Sequence, residues 1–395
     1  MTRAADDSAP RLVTFRFLAL MGAATFYFVA FGMTVPLLPV YVIDTLGGDS
    51  IDVGLTVGVV AVSAILIRPW IVPRINRWGA KRVIIVAGVL GAGSLALYAI
   101  PVDIAVLGGV RLLTGAAQAA LMVSAVSSVT ASAPASRLGQ AAAYMSIGPY
   151  LGLGIGPVVG QLAAQEGGIE AAFLLAGIIG VVGLPPVFFI SDNRVLVTEV
   201  KTSGPRMSKR GVLPGIVLAL GMFGVVGMQA FIPLFAPEEL GVEAQYPLLV
   251  YAAMLITARL FGGSLPNKLG LAKTAVMATV LIIGGLTLIG FALSPAVLFI
   301  GIVTLATGVA FQYPCLMSIA LRDVSPNAHT ATVATFTLFL DVATGLGGAI
   351  AGLIAFGDNY RWVFFGGAIS ALVGFAILLK LLNPRGGFSR SSDGT

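Results

Sequence analysis

RPWIVPRINRWGAKR, residues 68–82, sets five positive charges and two prolines between two long apolar stretches. A second stretch, RLFGGSLPNKLG at 259–270, repeats its frame of Arg, seven residues, Asn, a basic residue, one residue and Gly. Arg68, Asn76, Arg77 and Gly79 are answered by Arg259, Asn267, Lys268 and Gly270, an offset of 191 in a chain of 395 residues. A repeat at about half the chain length signals a duplicated architecture, so the sequence is read in two halves.

Hydrophobic residues make up 57% of the chain and charged residues 10%, with a mean hydropathy of +0.99. Soluble domains carry about 25% charged residues, so this composition excludes an ordinary globular protein and fits a polytopic membrane protein. The 50 glycines and 21 prolines agree, because small residues let membrane helices approach closely and neighbouring helices re-satisfy backbone freed by proline. A net charge of +6 and a pI near 9.6 are also found in nucleic-acid binders. Here the basic residues fall in short segments between apolar runs, the pattern of cytoplasmic loops, and no nucleic-acid partner is expected. Cys315 and His329 are the only residues of their kinds, which excludes a disulfide framework, a thiolate zinc site and a histidine metal cluster. A phosphate-binding Gly-Lys loop is absent, and the glycine pairs do not follow a strand, so no metal, nucleotide or other cofactor is expected.

A span needs about 20 apolar residues. Runs of that length predict helices at 15–40, 52–72, 83–100, 104–127, 137–163 and 171–190, then 212–235, 246–264, 273–293, 296–321, 329–356 and 361–382. The first run is longer than a signal-peptide core and is read as a retained helix. The expected organisation is a cytoplasmic segment 1–14, a six-helix half 15–190, a cytoplasmic linker 191–211, a six-helix half 212–382 and a cytoplasmic tail 383–395. With both termini inside, Arg74, Arg77, Lys81, Arg82, Lys201, Lys209, Arg210, Lys268 and Arg322 lie on the inner side. The outer segments then hold only Arg361, among Asp44, Asp49, Asp103, Glu238 and Glu239. Six spans separate the repeat copies, so the halves share one orientation, related by a pseudo-two-fold axis along the membrane normal.

Four segments in order on this frame resemble the major facilitator superfamily over nearly the whole chain. Arg77, Gly79, Lys81 and Arg82 match the second part of its loop signature, Gly-x-x-x-Asp-Arg-x-Gly-Arg-(Arg/Lys), with Val72 in place of the Gly, Asn76 in place of the Asp and Ala80 in place of one Arg. RLLTGAAQ at 111–118 resembles the fourth-helix pattern, with Arg111 and Gly115. GLGIGPVVGQ at 152–161 resembles the fifth-helix pattern of antiporters, through Gly152, Gly156, Pro157 and Gly160, with Gln161 in place of the last Gly. FGMTVPLLPVYV at 31–42 and FTLFLDVATGLGG at 336–348 resemble bacterial arabinose- and drug-efflux permeases.

Asp341 is the acid placed deepest in a predicted span. A charge there costs roughly 2.5–3.5 kcal/mol on insertion scales, so it must be partnered, protonated or facing water. It is a candidate proton-coupling site, the alternative being a bond to a neighbouring helix. Asp341, Gly345, Gly348 and Gly352 fall near one face, which favours close packing there. The resemblance ties Arg111 to proton coupling or substrate binding, against the alternative of a hydrogen-bond hub on helix one or five. Gly148, Gly152, Gly154, Gly156 and Gly160 admit a neighbouring helix and, by the resemblance, seal a proton leak. The family's cavity-lining helices one, four, seven and ten place Phe26, Tyr27, Phe28, Gln118, Gln229, Gln312 and Tyr313 as candidates at a substrate cavity. So few polar groups suit an amphipathic solute better than a sugar, which needs many hydrogen bonds to replace its water.

The reading is a multi-pass transporter of the cytoplasmic membrane, not an enzyme, that alternates access and exports a drug or metabolite in exchange for protons. Its partners are a small-molecule substrate, protons and the bilayer, and it acts as a monomer. The alternatives are an uptake symporter or facilitator and, in another class, a membrane enzyme or non-transporting protein. Asn76 and Asn267 in place of the family's acid predict a weaker inner gate in both halves.

Overall fold

A computed structural model of the chain describes residues 14–100, 103–132, 145, 147–190, 208–262, 265–322, 324, 326–355 and 359–382. Among these the regular structure is helical, with no strand. Ten helices are long and apolar enough to cross a membrane. The terminal segments 1–13 and 383–395, and most of the expected linker, lie outside the described residues.

Helix α1 is Phe15–Val40, closed by a π turn at Tyr41–Thr45. Helix α2, Ser50–Trp78, starts on a carboxylate cap. Oδ1 of Asp49 accepts the amides of Ile51 (2.8 Å) and Asp52 (3.0 Å), and Oδ2 of Asp52 accepts the amide of Asp49 (3.1 Å). These reciprocal bonds satisfy donors that the first turn leaves open. Helix α2 then runs through the basic segment to Trp78, with Pro69 and Pro73 inside it, so the expected span 52–72 was too short and the charges ride on helix rather than on a loop.

One residue, Gly79, separates α2 from α3 (Ala80–Leu97), with φ 86° and ψ 149°. In the second copy of the repeat, Gly270 has φ 87° and ψ 146° between α9 (Leu265–Leu269) and α10 (Leu271–Gly290). Positive φ at such ψ is open to glycine almost alone. The glycine in the repeated frame is therefore a backbone requirement, met identically in both copies.

The remaining helices are α4 (Ile104–Ser132), α5 (Ile147–Val182), α6 (Pro185–Phe188), α7 (Lys209–Leu240), α8 (Gln245–Gly262), α11 (Pro295–Leu321), α12 (Pro326–Ile354) and α13 (Arg361–Leu382). Helix α5 is broken at Gly168, whose φ of 86° and ψ of 167° are not helical, within the expected gap between spans 137–163 and 171–190. The expected breaks near Pro101 and Pro295 are present, because α3 ends before Pro101 and Pro295 opens α11.

Contacts divide the chain into two compact units. The first comprises Met1–Thr34, Ser63–Ile100 and Gly109–Glu199, and the second Val35–Val62, Pro101–Gly108 and Val200–Thr395. In the first, α3 and α5 pack on small residues: a Cβ at Gly177 would lie 2.6 Å from the Cβ of Ala96, and one at Gly180 would lie 2.9 Å from that of Ala92. Ile71, Ile75, Ala80 and Val83 form a cluster against Ala119, Ala120 and Val123 of α4. In the second unit, α10 and α11 meet backbone to backbone. A Cβ at Gly285 would lie 2.5 Å from the amide nitrogen of Leu305, and one at Gly308 would lie 2.6 Å from the carbonyl oxygen of Ala278. Without water between membrane helices, such close approach supplies the dispersion contact that holds them.

Candidate functional site

In the first unit, Arg111 is buried within α4 at 3% exposure. Its Nη1 donates to the Tyr98 hydroxyl at 3.4 Å, and its guanidinium carbon stands 5.7 Å from the centre of that ring. The Tyr98 hydroxyl is 2.6 Å from Oγ1 of Thr114, which is 2.9 Å from Oγ of Ser94. Tyr27 donates to the carbonyl of Thr114 at 3.4 Å, and Phe173 meets Tyr98 edge to face. Arg111 is thus the charged end of a buried hydroxyl chain joining α3 and α4, with α1 attached through Tyr27. A guanidinium inside a membrane span is tolerated where polar partners and an aromatic face surround it. The Tyr98 hydroxyl that accepts from Arg111 stands at the end of α3. Tyr98, Ser94 and Thr114 were not singled out from sequence, although a Tyr closing α3 and a Thr three residues after Arg111 were legible as polar residues in apolar spans.

The fifth-helix glycines form a ridge at four-residue spacing along α1. A Cβ at Gly148 would lie 2.5 Å from Oγ1 of Thr25, one at Gly152 2.6 Å from the Phe28 carbonyl carbon, one at Gly156 2.5 Å from the Val29 oxygen, and one at Gly160 2.4 Å from the Met33 oxygen. Each contact is with α1, over a little more than three turns, so no side chain fits at any of these positions. Pro157 is buried within the same stretch.

The basic segment is tied at Lys81, whose Nζ donates to the carbonyls of Phe188 (2.6 Å) and Ile190 (3.0 Å). A cation on carbonyls at a helix end satisfies acceptors that lack helical partners. Arg68, Arg77 and Arg82 are exposed and Asn76 is half-buried. In the second copy Arg259 is half-buried and Lys268 and Gly270 are exposed, while Asn267 lies within α9.

In the second unit, Asp341 is half-buried in α12, one turn before a glycine crossing. A Cβ at Gly54 of α2 would lie 2.3 Å from the Gly348 oxygen, one at Gly58 2.4 Å from the Gly345 oxygen, and one at Gly352 2.5 Å from the Ser50 oxygen. The predicted small face of α12 is therefore in backbone contact with α2. Its partners Gly54 and Gly58 were missed, though their four-residue spacing was readable.

The cavity candidates part company. Tyr27 and Phe28 are buried, with Tyr27 seated over Gly91, and Phe26 is exposed over Gly183. Gln118, Gln229 and Tyr313 are half-buried, Tyr313 edge to face with Phe336. Gln312 is fully buried, with neither amide atom hydrogen-bonded, and a Cβ at Gly221 of α7 would lie within 2.7 Å of its Oε1. Arg361, read from sequence only as the lone basic residue of the outer segments, has an Nη1 that donates to the carbonyls of Gly290 (3.1 Å) and Ala292 (2.9 Å). Its Nη2 pairs with Glu239 at 2.7 Å, over the ring of Phe235. No group of three or more His, Cys, Asp or Glu residues able to hold a metal ion occurs among the described residues.

The family model described as Major Facilitator Superfamily matches residues 20–347. The chain belongs to the major facilitator superfamily. An uncharacterized MFS-type transporter of Burkholderia mallei is 25% identical over 402 residues, covering 97% of each chain. One from Salmonella typhimurium is 24% identical over 370 residues, covering 90% of this chain and 93% of the other. Among solved structures, a bacterial homologue of the lysosomal transporter Spinster, inward-facing and occupied, superposes with a TM-score of 0.76 at 14% identity over 93% of this chain and 96% of that one. A peptide transporter in complex with sulfate gives 0.75 at 15% identity over 94% of each. The protein is therefore a multi-pass membrane transporter of the superfamily and not an enzyme, helical in the regular structure of its described residues. The repeated glycine turns and the buried Arg111 lie on that fold.

Proposed function

We propose that this superfamily member is a proton-coupled antiporter that exports a small amphipathic compound. In this proposal twelve spans form two six-helix halves, 15–190 and 212–382, joined by the linker 191–211, with both termini cytoplasmic, and a monomer alternates access between the two sides. The observation that carries the antiport reading is the unbroken glycine ridge Gly148–Gly152–Gly156–Gly160 on α1. A close-packed seam a little over three turns long, backbone against backbone from Gly152 to Gly160, leaves no room for a water file, which suits a transporter that must not leak its coupling ion.

Asp341 is the group that takes up and releases the proton. It is a half-buried carboxyl next to a crossing of bare backbone. Arg111, set in its hydroxyl chain, holds positive potential inside the first unit and favours a deprotonated partner or an anionic part of the solute. Gln118, Gln229 and Tyr313 offer a few hydrogen bonds among apolar residues, with Gln312 joining them in another conformation, and this balance suits an amphipathic solute. Asn76 and Asn267 replace a charged latch by an amide and weaken the inner gate. An inward proton gradient supplies about 2.3 kcal/mol per charge for each 100 mV, plus the pH term.

The test is a susceptibility and metabolite-export screen of a deletion strain, with and without an uncoupler, followed by proteoliposome transport of the compound found. An outward flux driven by an imposed pH gradient and abolished in Asp341→Asn supports the proposal. Uphill uptake, or full coupling in Asp341→Asn, refutes it.

A further inference from the structure

The charged end of α2 also presents an exposed face. Leu66, Trp70, Arg74 and Arg77 follow one another at four-, four- and three-residue steps, so they lie along one face. Ile71 and Ile75 are buried on another face of the same turns, each at 2% exposure. Leu66 and Trp70 are 60% and 56% exposed, and Arg74 and Arg77 are exposed beyond them. Nη1 of Arg74 donates to the Trp70 carbonyl at 3.0 Å, which keeps that guanidinium by the stripe.

Residues 66 to 77 span about 16 Å of helix, close to half of a hydrocarbon core of about 30 Å. The stripe is therefore graded as one leaflet is graded: an apolar residue toward the middle, an indole at the interface and guanidinium groups at the level of the phosphates. Exposed Arg82 follows the Gly79 turn, and Lys81 holds the α6 end, with exposed Phe188 and Phe189, beside it. From Ser63 to Ile100 the sequence has five basic residues and no acid.

We propose that this face is a docking site for an anionic phospholipid. Its headgroup lies against Arg74, Arg77 and Arg82, and its acyl chains run along Trp70 and Leu66. Charge complementarity selects an anionic lipid over a zwitterionic one, because arginines near an anionic surface each strengthen binding about fivefold.

The test uses the full chain in nanodiscs, with Trp78→Phe and Trp362→Phe leaving Trp70 as the sole indole. Brominated phosphatidylglycerol should quench Trp70 at a mole fraction about 100-fold below that needed of brominated phosphatidylcholine, the product of three arginines at about fivefold each. Arg74→Gln with Arg77→Gln should remove about 25-fold of that preference. Lys273→Gln, an exposed basic site in the second unit, should leave it intact. In parallel, the unsubstituted protein, delipidated and offered both lipids equally, should retain phosphatidylglycerol in native mass spectrometry. Equal quenching or equal retention of the two lipids overturns the proposal, as does a preference untouched by the double substitution or equally lost in Lys273→Gln.

Discussion

Gln312 is the residue on which substitution should raise stability and lower activity together. Its side chain is fully buried in α11, both its amide nitrogen and its amide oxygen lack a hydrogen-bond partner, and the absence of a Cβ at Gly221 makes the space it occupies. A buried polar group left unsatisfied costs about 1–3 kcal/mol. Methionine has nearly the same length and no bonds to satisfy, and it adapts to an irregular site. Gln312→Met should therefore stabilise this conformation by about 2 kcal/mol, which for a chain of this size is a rise in Tm of roughly 2–4 °C. The same free energy shifts a two-state conformational ratio about 30-fold. If the amide finds its partner in another state of the transport cycle, exchange then slows while the protein becomes harder to melt. The assay is thermal unfolding in detergent, measured beside proteoliposome flux, with Gln312→Ala as the control that opens a cavity. A fall in Tm for Gln312→Met as large as that for Gln312→Ala would refute the reasoning, since it would mean the amide is well bonded where it stands.

Tyr98→Phe removes the hydroxyl between Arg111 and Thr114; a loss of about 1–3 kcal/mol is expected in denaturant unfolding, and unchanged stability would dismiss the hydroxyl chain as a support for Arg111. Gly58→Val places branched carbon where 2.4 Å separates a Cβ from the Gly345 oxygen. The α2–α12 crossing should open, with transport lost at equal protein level and a cysteine pair across the crossing no longer forming a disulfide. Arg361→Gln breaks the ion pair with Glu239 and the bonds to Gly290 and Ala292. Because the pair is partly exposed, a drop of about 1–2 kcal/mol is expected by thermal unfolding, smaller at high salt.

Much of the fold was legible because membrane helices announce themselves by length and hydropathy, and because the frame around Arg68 and Arg259 survived in both halves. What the repeat meant locally was not legible. The charges of 68–82 suggested a loop, since hydropathy reports solvent and not backbone, yet helix continues through two prolines and breaks at a single glycine. The small faces of α5 and α12 were readable from glycine spacing. Their partners, α1 and the Gly54–Gly58 edge of α2, depend on tertiary pairing that one helix's periodicity does not encode. Arg111 was recognisable as costly and therefore partnered. That Tyr98, from the end of a different helix, accepts its bond depends on how α3 and α4 lie together. Of the cavity candidates, Tyr27 and Gln312 have the chemistry of a binding site, but burial is a property of the packed molecule and separates them from Gln118 and Gln229.

The 29 residues of α2 make a rod of about 44 Å, longer than the hydrocarbon core and about as long as the whole bilayer with its headgroups. Such a rod works as a lever. Tilted by about 10° about its midpoint, it carries its basic tip sideways by about 4 Å, the width of a side chain. Pro69 and Pro73 each remove a backbone bond in the last third of that lever, so the tip can lag behind the shaft. Residues 68–78 are thus the compliant end of a stiff arm.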